Sequence, residues 1–359
     1  MHSDERRCDD KAWMGAFVLK TYISTFTPGF EAVIGWILPQ LLAGSKLLKL
    51  YSGLVVYQYN GHPMEISKIP VFNNSYYVIR WFTGGNLSFH RMVNEVLNHH
   101  NHYLKHSEWN GRYKTFRVRF VKENQFQKVD KQLVSKAEKE IIRATKLKVN
   151  RLKPETEFWY LIRRENTAYY AQLLFRRHIT EKNLNKGELR PEFVLLMIYW
   201  ANIGPHDVVM DPFAGYGSIP FQLYNAFSFG KLIVNDKDRI KVDYLKRLFT
   251  KARTRKMVEI SCEDARSLSH VQDKSVDKII TDPPWGIYEN IQDIEGFYTD
   301  VLMEMKRILK DEGKIIVLTA SKTEFKNATL ACGLKIIDRI DTLVKGKKAS
   351  LFRAVKEEG

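Results

Sequence analysis

Cysteine is scarce in this chain: Cys8, Cys262 and Cys332 are all that 359 residues contain. Their odd number and wide separation exclude a disulfide framework and a zinc-ligand spacing, and point to a reducing compartment. Long apolar runs are lacking as well. The longest, Phe193 to Ile203, is about half of what a membrane-spanning helix needs, and the first ten residues mix acids with bases unlike a signal peptide. A folded, soluble, cytoplasmic protein is the expectation. The chain has no long Gly/Ser linker, no internal repeat and no low-complexity arm. Acid is in deficit, with 41 Asp+Glu against 57 Lys+Arg and a formal net charge of +16. What is plentiful is apolar: 44% of residues, 12% aromatic, which supports sizeable cores and excludes wholesale disorder. A chain of this length is expected to divide into two or three domains.

The charge is unevenly spread. Up to Thr180 there are 28 Lys+Arg and 15 Asp+Glu, a net +13; the rest of the chain has 29 and 26, a net +3. Within the first half, Lys105 to Thr180 alone carries a net +11. Such a segment faces a polyanion more often than not, because phosphate contacts by Lys and Arg release counterions. A merely solvated charged face is the alternative. The residues expected to make such phosphate contacts are Lys148, Arg151, Arg163, Arg164, Arg176 and Arg177.

Periodicity divides the first half into two small α+β blocks. The first reads as a strand (Ala16 to Tyr22), a turn at Thr27-Pro28-Gly29, a helix (Phe30 to Leu42) and a strand (Gly53 to Tyr57). The second reads as a helix (Arg91 to His106), a strand (Tyr113 to Val121), a basic helix (Lys131 to Thr145) and two strands (Glu157 to Arg163, Ala168 to Leu174). Five of the ten histidines fall between Leu87 and His106, and His99, His102 and His106 would share a helical face. No cysteine or carboxylate completes a ligand set there, and no metal is expected.

From Asp207 the pattern becomes strand-helix alternation, with strands expected at Val208 to Met210, Leu232 to Asn235, Met257 to Ser261, Asp277 to Thr281, Lys314 to Thr319, Lys335 to Ile340 and Ser350 to Val355. Alternation of this kind implies an α/β fold with a mostly parallel sheet covered on both faces. The short link Lys345-Gly346-Lys347-Lys348 makes the last two strands a hairpin. After the first strand comes Asp211-Pro212-Phe213-Ala214-Gly215-Tyr216-Gly217-Ser218. Glycines there let a ligand approach the backbone closely. The full dinucleotide fingerprint and the phosphate-loop ending are both missing. Asp236 ends the second strand, nineteen residues after Gly217, placed to hold a ribose diol; Asp264 follows the third strand and could receive an adenine amino group. Each could instead be a helix cap, yet three acids at the ends of consecutive strands favour a nucleoside ligand.

Thr281-Asp282-Pro283-Pro284-Trp285-Gly286 closes the fourth strand. Two prolines continue neither a ladder nor a helix, so the segment is stiff and exposed at the strand end. Asp282 and the Pro283 carbonyl are then two acceptors at fixed separation, matched to the two donor hydrogens of a planar amino group. Trp285 offers a face on which a base can stack.

These residues resemble a known family. Asp282-Pro283-Pro284-Trp285 is similar to the motif of S-adenosylmethionine-dependent amino-methyltransferases, and Asp211 to Gly217 to their glycine loop. Asn150 to Glu157 with Leu161 to Leu174 resembles the end of a THUMP domain, Glu188-Leu189-Arg190-Pro191 the lead-in to its catalytic partner, and Thr27 to Glu31 the helix entry of a preceding ferredoxin-like domain. The chain thus resembles the THUMP-containing tRNA guanine-N2 methyltransferases. The resemblance implies a ferredoxin-like domain (1–75), a THUMP domain capturing tRNA (76–180) and a Rossmann-like seven-stranded methyltransferase domain (181–359). It further implies S-adenosylmethionine held by Asp211, Phe213, Ala214, Gly215, Gly217, Asp236, Asp264 and Ala265, and chemistry at Asp282, Pro283, Pro284 and Trp285. Ribosomal RNA guanine, a DNA adenine or cytosine amino group, and non-catalytic RNA binding are the competing readings.

Overall fold

A computed structural model describes residues 20–98, 113–177, 184–185, 187–250, 257–287 and 291–357. Cys8, His99, His100, His102, His106 and most of the strand expected from Ala16 lie outside them. Among the described residues no helix is long and apolar enough to cross a membrane, and no His/Cys/Asp/Glu group could hold a metal.

The first half forms one nine-stranded sheet. Its strands are β1 (Thr21–Thr25), β2 (Lys46–Tyr51), β3 (Leu54–Gln58), β4 (Asn74–Thr83), β5 (Thr115–Lys122), β6 (Gln125–Phe126), β7 (Lys148–Val149), β8 (Thr156–Ile162) and β9 (Thr167–Arg176). They lie in the order β2-β3-β1-β4-β9-β8-β5-β6, with β7 beside β5. The helices are α1 (Glu31–Leu41), α2 (Pro63–Ser67), α3 (Phe89–Asn98) and α4 (Lys131–Thr145). The sequence reading lacks β2 and β4. Strand β4 matters most, because it pairs with β1 on one side and with β9 on the other, so both α+β blocks share a single sheet. The division expected at residue 75 falls inside β4.

Alternation sorts this sheet into two faces. Phe116, Phe120, Phe158, Tyr160 and Tyr170 point to a core that includes Met92 and Val93 of α3 and Leu133 and Ile141 of α4. The opposite residues Ile23, Val56, Tyr76, Val121, Trp159, Leu161, Tyr169 and Leu173 form a separate apolar cluster, which no described helix joins. The sheet buries that cluster by curling. Strands β2 and β8 are five spacings apart, about 24 Å in a flat sheet. Arg163, just after β8, nevertheless donates to the carbonyl of Ser52, just after β2, at 3.3 Å and lies 5.7 Å over the Tyr51 ring.

The second half has strands β10 (Val208–Asp211), β11 (Lys231–Asn235), β12 (Val258–Ser261), β13 (Val276–Thr281), β14 (Leu309–Thr319), β15 (Leu334–Val344) and β16 (Lys347–Lys356). The helices are α5 (Pro191–Ala201), α6 (Ser218–Ala226), α7 (Arg239–Thr250), α8 (Ile294–Ile308) and α9 (Lys322–Ala331). Strand order is β12-β11-β10-β13-β14-β16-β15, parallel except for β16, which runs antiparallel to both neighbours. The order therefore reverses between β10 and β13, where a doubly wound sheet opens a crevice at its carboxyl edge.

A continuous apolar core joins the halves: Phe30 meets Phe193 of α5 edge-on at 5.5 Å, and Ile340 and Val344 of β15 enter the same cluster. Thr342 donates to the Pro28 carbonyl at 2.9 Å. At Gly29 the backbone is left-handed and a β-carbon would run into the Asp341 carbonyl, so this close approach requires glycine.

Candidate active site

The carboxyl ends of β10, β11 and β13 carry the residues singled out in the sequence. Asp211 ends β10 and is almost fully buried. Its Oδ1 accepts from the Phe213 amide at 3.1 Å and from Thr281 Oγ1 at 2.7 Å. Thr281 ends β13 and directly precedes Asp282, so one hydrogen bond ties the glycine loop to the Asp-Pro-Pro-Trp segment. Burial pushes the Asp211 carboxyl up to about 7, the nearby Asp236 charge adds to this, and the two hydrogen bonds oppose it.

The loop after Asp211 is folded back over β11. Ala214 N donates to the Asn235 carbonyl at 2.9 Å and Gly215 N to Asp236 Oδ2 at 2.8 Å. Gly215 has a φ of +57° and a β-carbon built on it would meet no protein atom within 4 Å, so open space lies directly over the loop. Gly217 is also left-handed, but there a β-carbon would press on Leu245 and Leu248 of α7. One glycine leaves room for a ligand and the other lets the loop pack.

Asp236 is 7% exposed, and its second oxygen accepts from the Asp238 amide at 2.9 Å. Asp264 follows β12, where the Arg266 guanidinium and amide hold its two oxygens at 2.8–3.0 Å and keep its carboxyl down at about 2. Ala265 is buried behind it. Phe213 packs edge-on against Phe297 of α8 at 6.0 Å.

The Asp282–Trp285 segment is held by hydrogen bonds at Asp282, Pro284 and Trp285. The Pro284 carbonyl accepts from Tyr298 Oη at 2.8 Å, and Tyr298 bonds Thr319 Oγ1 at 2.8 Å. Ser321 Oγ holds the Trp285 carbonyl at 2.6 Å. The Trp285 indole, partly buried against the core, donates from Nε1 to Asp282 Oδ1 at 2.8 Å and to the Leu318 carbonyl at 3.2 Å. The indole thereby orients the carboxylate.

Sequence reasoning missed several members. Asn235, fully buried, donates to the Pro212 and Glu263 carbonyls and accepts from Ser261 Oγ and Glu263 N, knitting three loops together. Its signal was an amide at a strand end, where polar side chains are costly unless fully bonded. Tyr298 and Ser321 act through partners distant in sequence and no local pattern marks them, and Thr281, although it opens the Asp-Pro-Pro-Trp segment, shows its bond to Asp211 only in the fold.

The six basic residues divide. Lys148, Arg151 and Arg164 are exposed, though Arg151 pairs with Glu138 and Arg164 with Glu123. Arg163, its side chain 8% exposed, closes the sheet curl. Arg176 pairs with buried Glu157, and Arg177 donates to the Ile69 and Phe72 carbonyls at 3.0 Å. Three of the six are thus left exposed, and the other three are engaged by partners within the fold.

Comparison with known proteins follows this geometry. Residues 225–338 match the family model described as UPF0020, RMKL-like, methyltransferase domain, a span that includes Asp236, Asp264 and the Asp282–Trp285 segment. A tRNA (guanine(10)-N2)-dimethyltransferase of Methanocaldococcus jannaschii is 28% identical over 194 residues, 50% of this chain and 54% of that protein. A tRNA (guanine(6)-N2)-methyltransferase of the same organism is 27% identical over 123 residues, 34% and 32% of the two. The chain thus spans about half, or a third, of the length of these curated relatives. TrmN from Thermus thermophilus shares the fold across 94% of this chain and 99% of its own, with a TM-score of 0.77 at 19% identity. The second half of the chain, with its reversed strand order and its latched Asp-Pro-Pro-Trp segment, therefore carries a methyltransferase domain similar to the RMKL-like kind.

Proposed function

We propose that the protein transfers a methyl group from S-adenosylmethionine to the exocyclic N2 of a guanosine in tRNA, with its basic first half holding the RNA. The observation that carries this reading is the fixed pair of acceptors, Asp282 and Pro283, beside an open glycine loop. The loop suits the cofactor. Space stands over Gly215, and Asp211 is a buried acid with no cation beside it among the described residues, a setting that favours a positively charged ligand. When bound, S-adenosylmethionine supplies a methyl group on an activated sulfonium. Asp211 would face its charged methionine portion, Asp236 would accept from the ribose hydroxyls, and Ala265 would border the base.

The guanine amino group is a poor nucleophile because its lone pair is delocalised into the ring. Asp282 and the Pro283 carbonyl, accepting its two N–H bonds, favour a pyramidal nitrogen with its lone pair directed away from both. Trp285 holds the carboxylate in the plane where it can accept, and the Tyr298–Thr319 and Ser321 bonds keep the proline segment from yielding. The amine proton passes to Asp282 or to water after transfer, so no strong base is needed. To reach these groups the base must be unstacked.

Incubating the full chain with labelled S-adenosylmethionine and unmodified tRNA, then digesting the RNA for nucleoside mass spectrometry, tests the reading. N2-methylguanosine is the expected product; label in adenosine, or in DNA alone, would overturn it.

A further inference from the structure

On the concave face of the first sheet, at the end away from the Arg163–Ser52 closure, three arginines surround one glutamate. The register sets Arg117 beside Glu157 and Arg119 beside Trp159. Glu157 is 2% exposed. Its Oε1 accepts from Arg117 Nε at 2.7 Å, and its Oε2 from Arg176 Nη2 and from Trp159 Nε1, both at 2.7 Å. One negative charge is thus divided between two guanidinium groups. Arg119 is bonded to none of these groups: among the described residues it makes no hydrogen bond or ion pair, it feels the Glu157 charge only through space, and its Nε is buried without a partner. Burial, then the like charge of Arg117, works against its ionised form. Arginine stays charged under such conditions, so the cluster retains a net charge of about +2.

The contact Arg119 does make is with an aromatic ring. Its Cζ lies 4.8 Å over Phe126, which is 63% exposed on the edge strand β6 and packs against Trp159 at 5.6 Å. A large exposed ring beside an unneutralised guanidinium offers a stacking face and a phosphate fork side by side.

We propose that Arg119 and Phe126, backed by Arg117 and Arg176, form a site for a single-stranded RNA segment, with a phosphate on Arg119 and an unpaired base on Phe126. This rests on the reading of the protein as an RNA methyltransferase, and it deepens that reading by naming where the RNA is held. Only Arg176 belongs to the basic residues singled out from sequence. A duplex is a poor fit, because its bases are not available to stack on a side chain.

Binding of the full-length protein to unmodified tRNA, to a single-stranded RNA dodecamer and to a blunt RNA duplex, each at three salt concentrations, tests this. Arg119→Ala should weaken binding of tRNA and of the dodecamer about tenfold and lower the salt slope by about 0.7 to 1 unit, the loss of one phosphate contact. Phe126→Ala should weaken both by a similar factor with the slope unchanged, and Arg119→Lys should keep the slope. Melting temperatures should stay within a few degrees of the parent, since Arg119 holds no hydrogen bond and Phe126 gives up only the contacts of a largely exposed ring. Variants that bind RNA as the parent does would overturn the site while leaving the methyltransferase reading intact. A parent that binds no RNA would overturn both. A duplex bound as tightly as the dodecamer, with the same loss in Phe126→Ala, would overturn the single-stranded assignment.

Discussion

The two sheets handle charge in opposite ways. At the carboxyl edge of the second sheet, the acids are tied into backbone and side-chain hydrogen bonds: Asp211 to Thr281 and Phe213, Asp236 to Gly215 and Asp238, Asp282 to Trp285. Their positions are fixed to within a hydrogen bond, which is what a reaction governed by orientation requires. On the concave face of the first sheet the balance is left open, with Arg119 crowded by like charge and paired with none. Geometry is settled in the half that carries the methyltransferase domain, and charge is left unsettled in the half proposed to take up the RNA.

The largest effect should come from the second sheet alone. Asp282→Ala is expected to lower the methylation rate roughly a hundredfold or more, as loss of a transition-state hydrogen bond does, with S-adenosylmethionine and tRNA affinity within a few-fold of the parent. Rapid-quench single-turnover assays separate these terms. Near-normal turnover would show that the amino group is held elsewhere. Next, Trp285→Phe keeps a ring but removes the indole donor to Asp282. A bond to a charged group is worth about 1.5 to 3 kcal/mol, so kcat should fall about tenfold or more with KM little changed. A Phe variant as fast as the parent would reduce Trp285 to a stacking surface.

Smaller effects sharpen the contrast. A cationic ligand stabilises the ionised form of a carboxyl raised to about 7, so S-adenosylmethionine binding should release part of a proton near neutral pH. The release should vanish toward pH 9, where Asp211 is already ionised, and should be absent in Asp211→Asn. Calorimetric titration in buffers of different ionisation enthalpy reads it directly. Smallest of all, Arg163→Ala should lower the melting temperature by a few degrees, since it loses the Ser52 bond that closes the curl and the Asn124 bond to the neighbouring turn. The salt slope of tRNA binding should stay as in the parent, in contrast to Arg119→Ala.

The second sheet was legible from sequence because its central strands are buried on both faces and read as short apolar runs between helices. Its hairpin also showed itself, with Lys345 and Gly346 both at positive φ where the sequence reading puts the turn. The glycine loop and the Asp-Pro-Pro-Trp segment stood out through residue types that few other settings tolerate. The first sheet was harder. Asn74 to Thr83 has bulky side chains on both faces, so β4 lacks the alternation that marks a half-exposed strand. The arginines present a related difficulty. What decides whether Arg163, Arg176 or Arg177 is available is a partner elsewhere in the chain: the Ser52 carbonyl, the Glu157 carboxylate, the Ile69 carbonyl. Composition counts charges; only the fold pairs them.

The position of β4 between β1 and β9 has a consequence for biogenesis. As the chain is made from its amino end, β4 can pair with β1 at once, but its other edge must wait until residues 167–176 have been made. Through that interval the nascent chain presents an unfilled strand edge of ten residues, rich in aromatics and able to capture a foreign strand. The first half consequently matures in a single late step, when β9 slides in and completes the sheet from both sides at once. Such non-local closure is slow. A ribosome-stalled chain ending before residue 167 should be a good client for chaperones, whereas one extended past residue 176 and clear of the exit tunnel should release them.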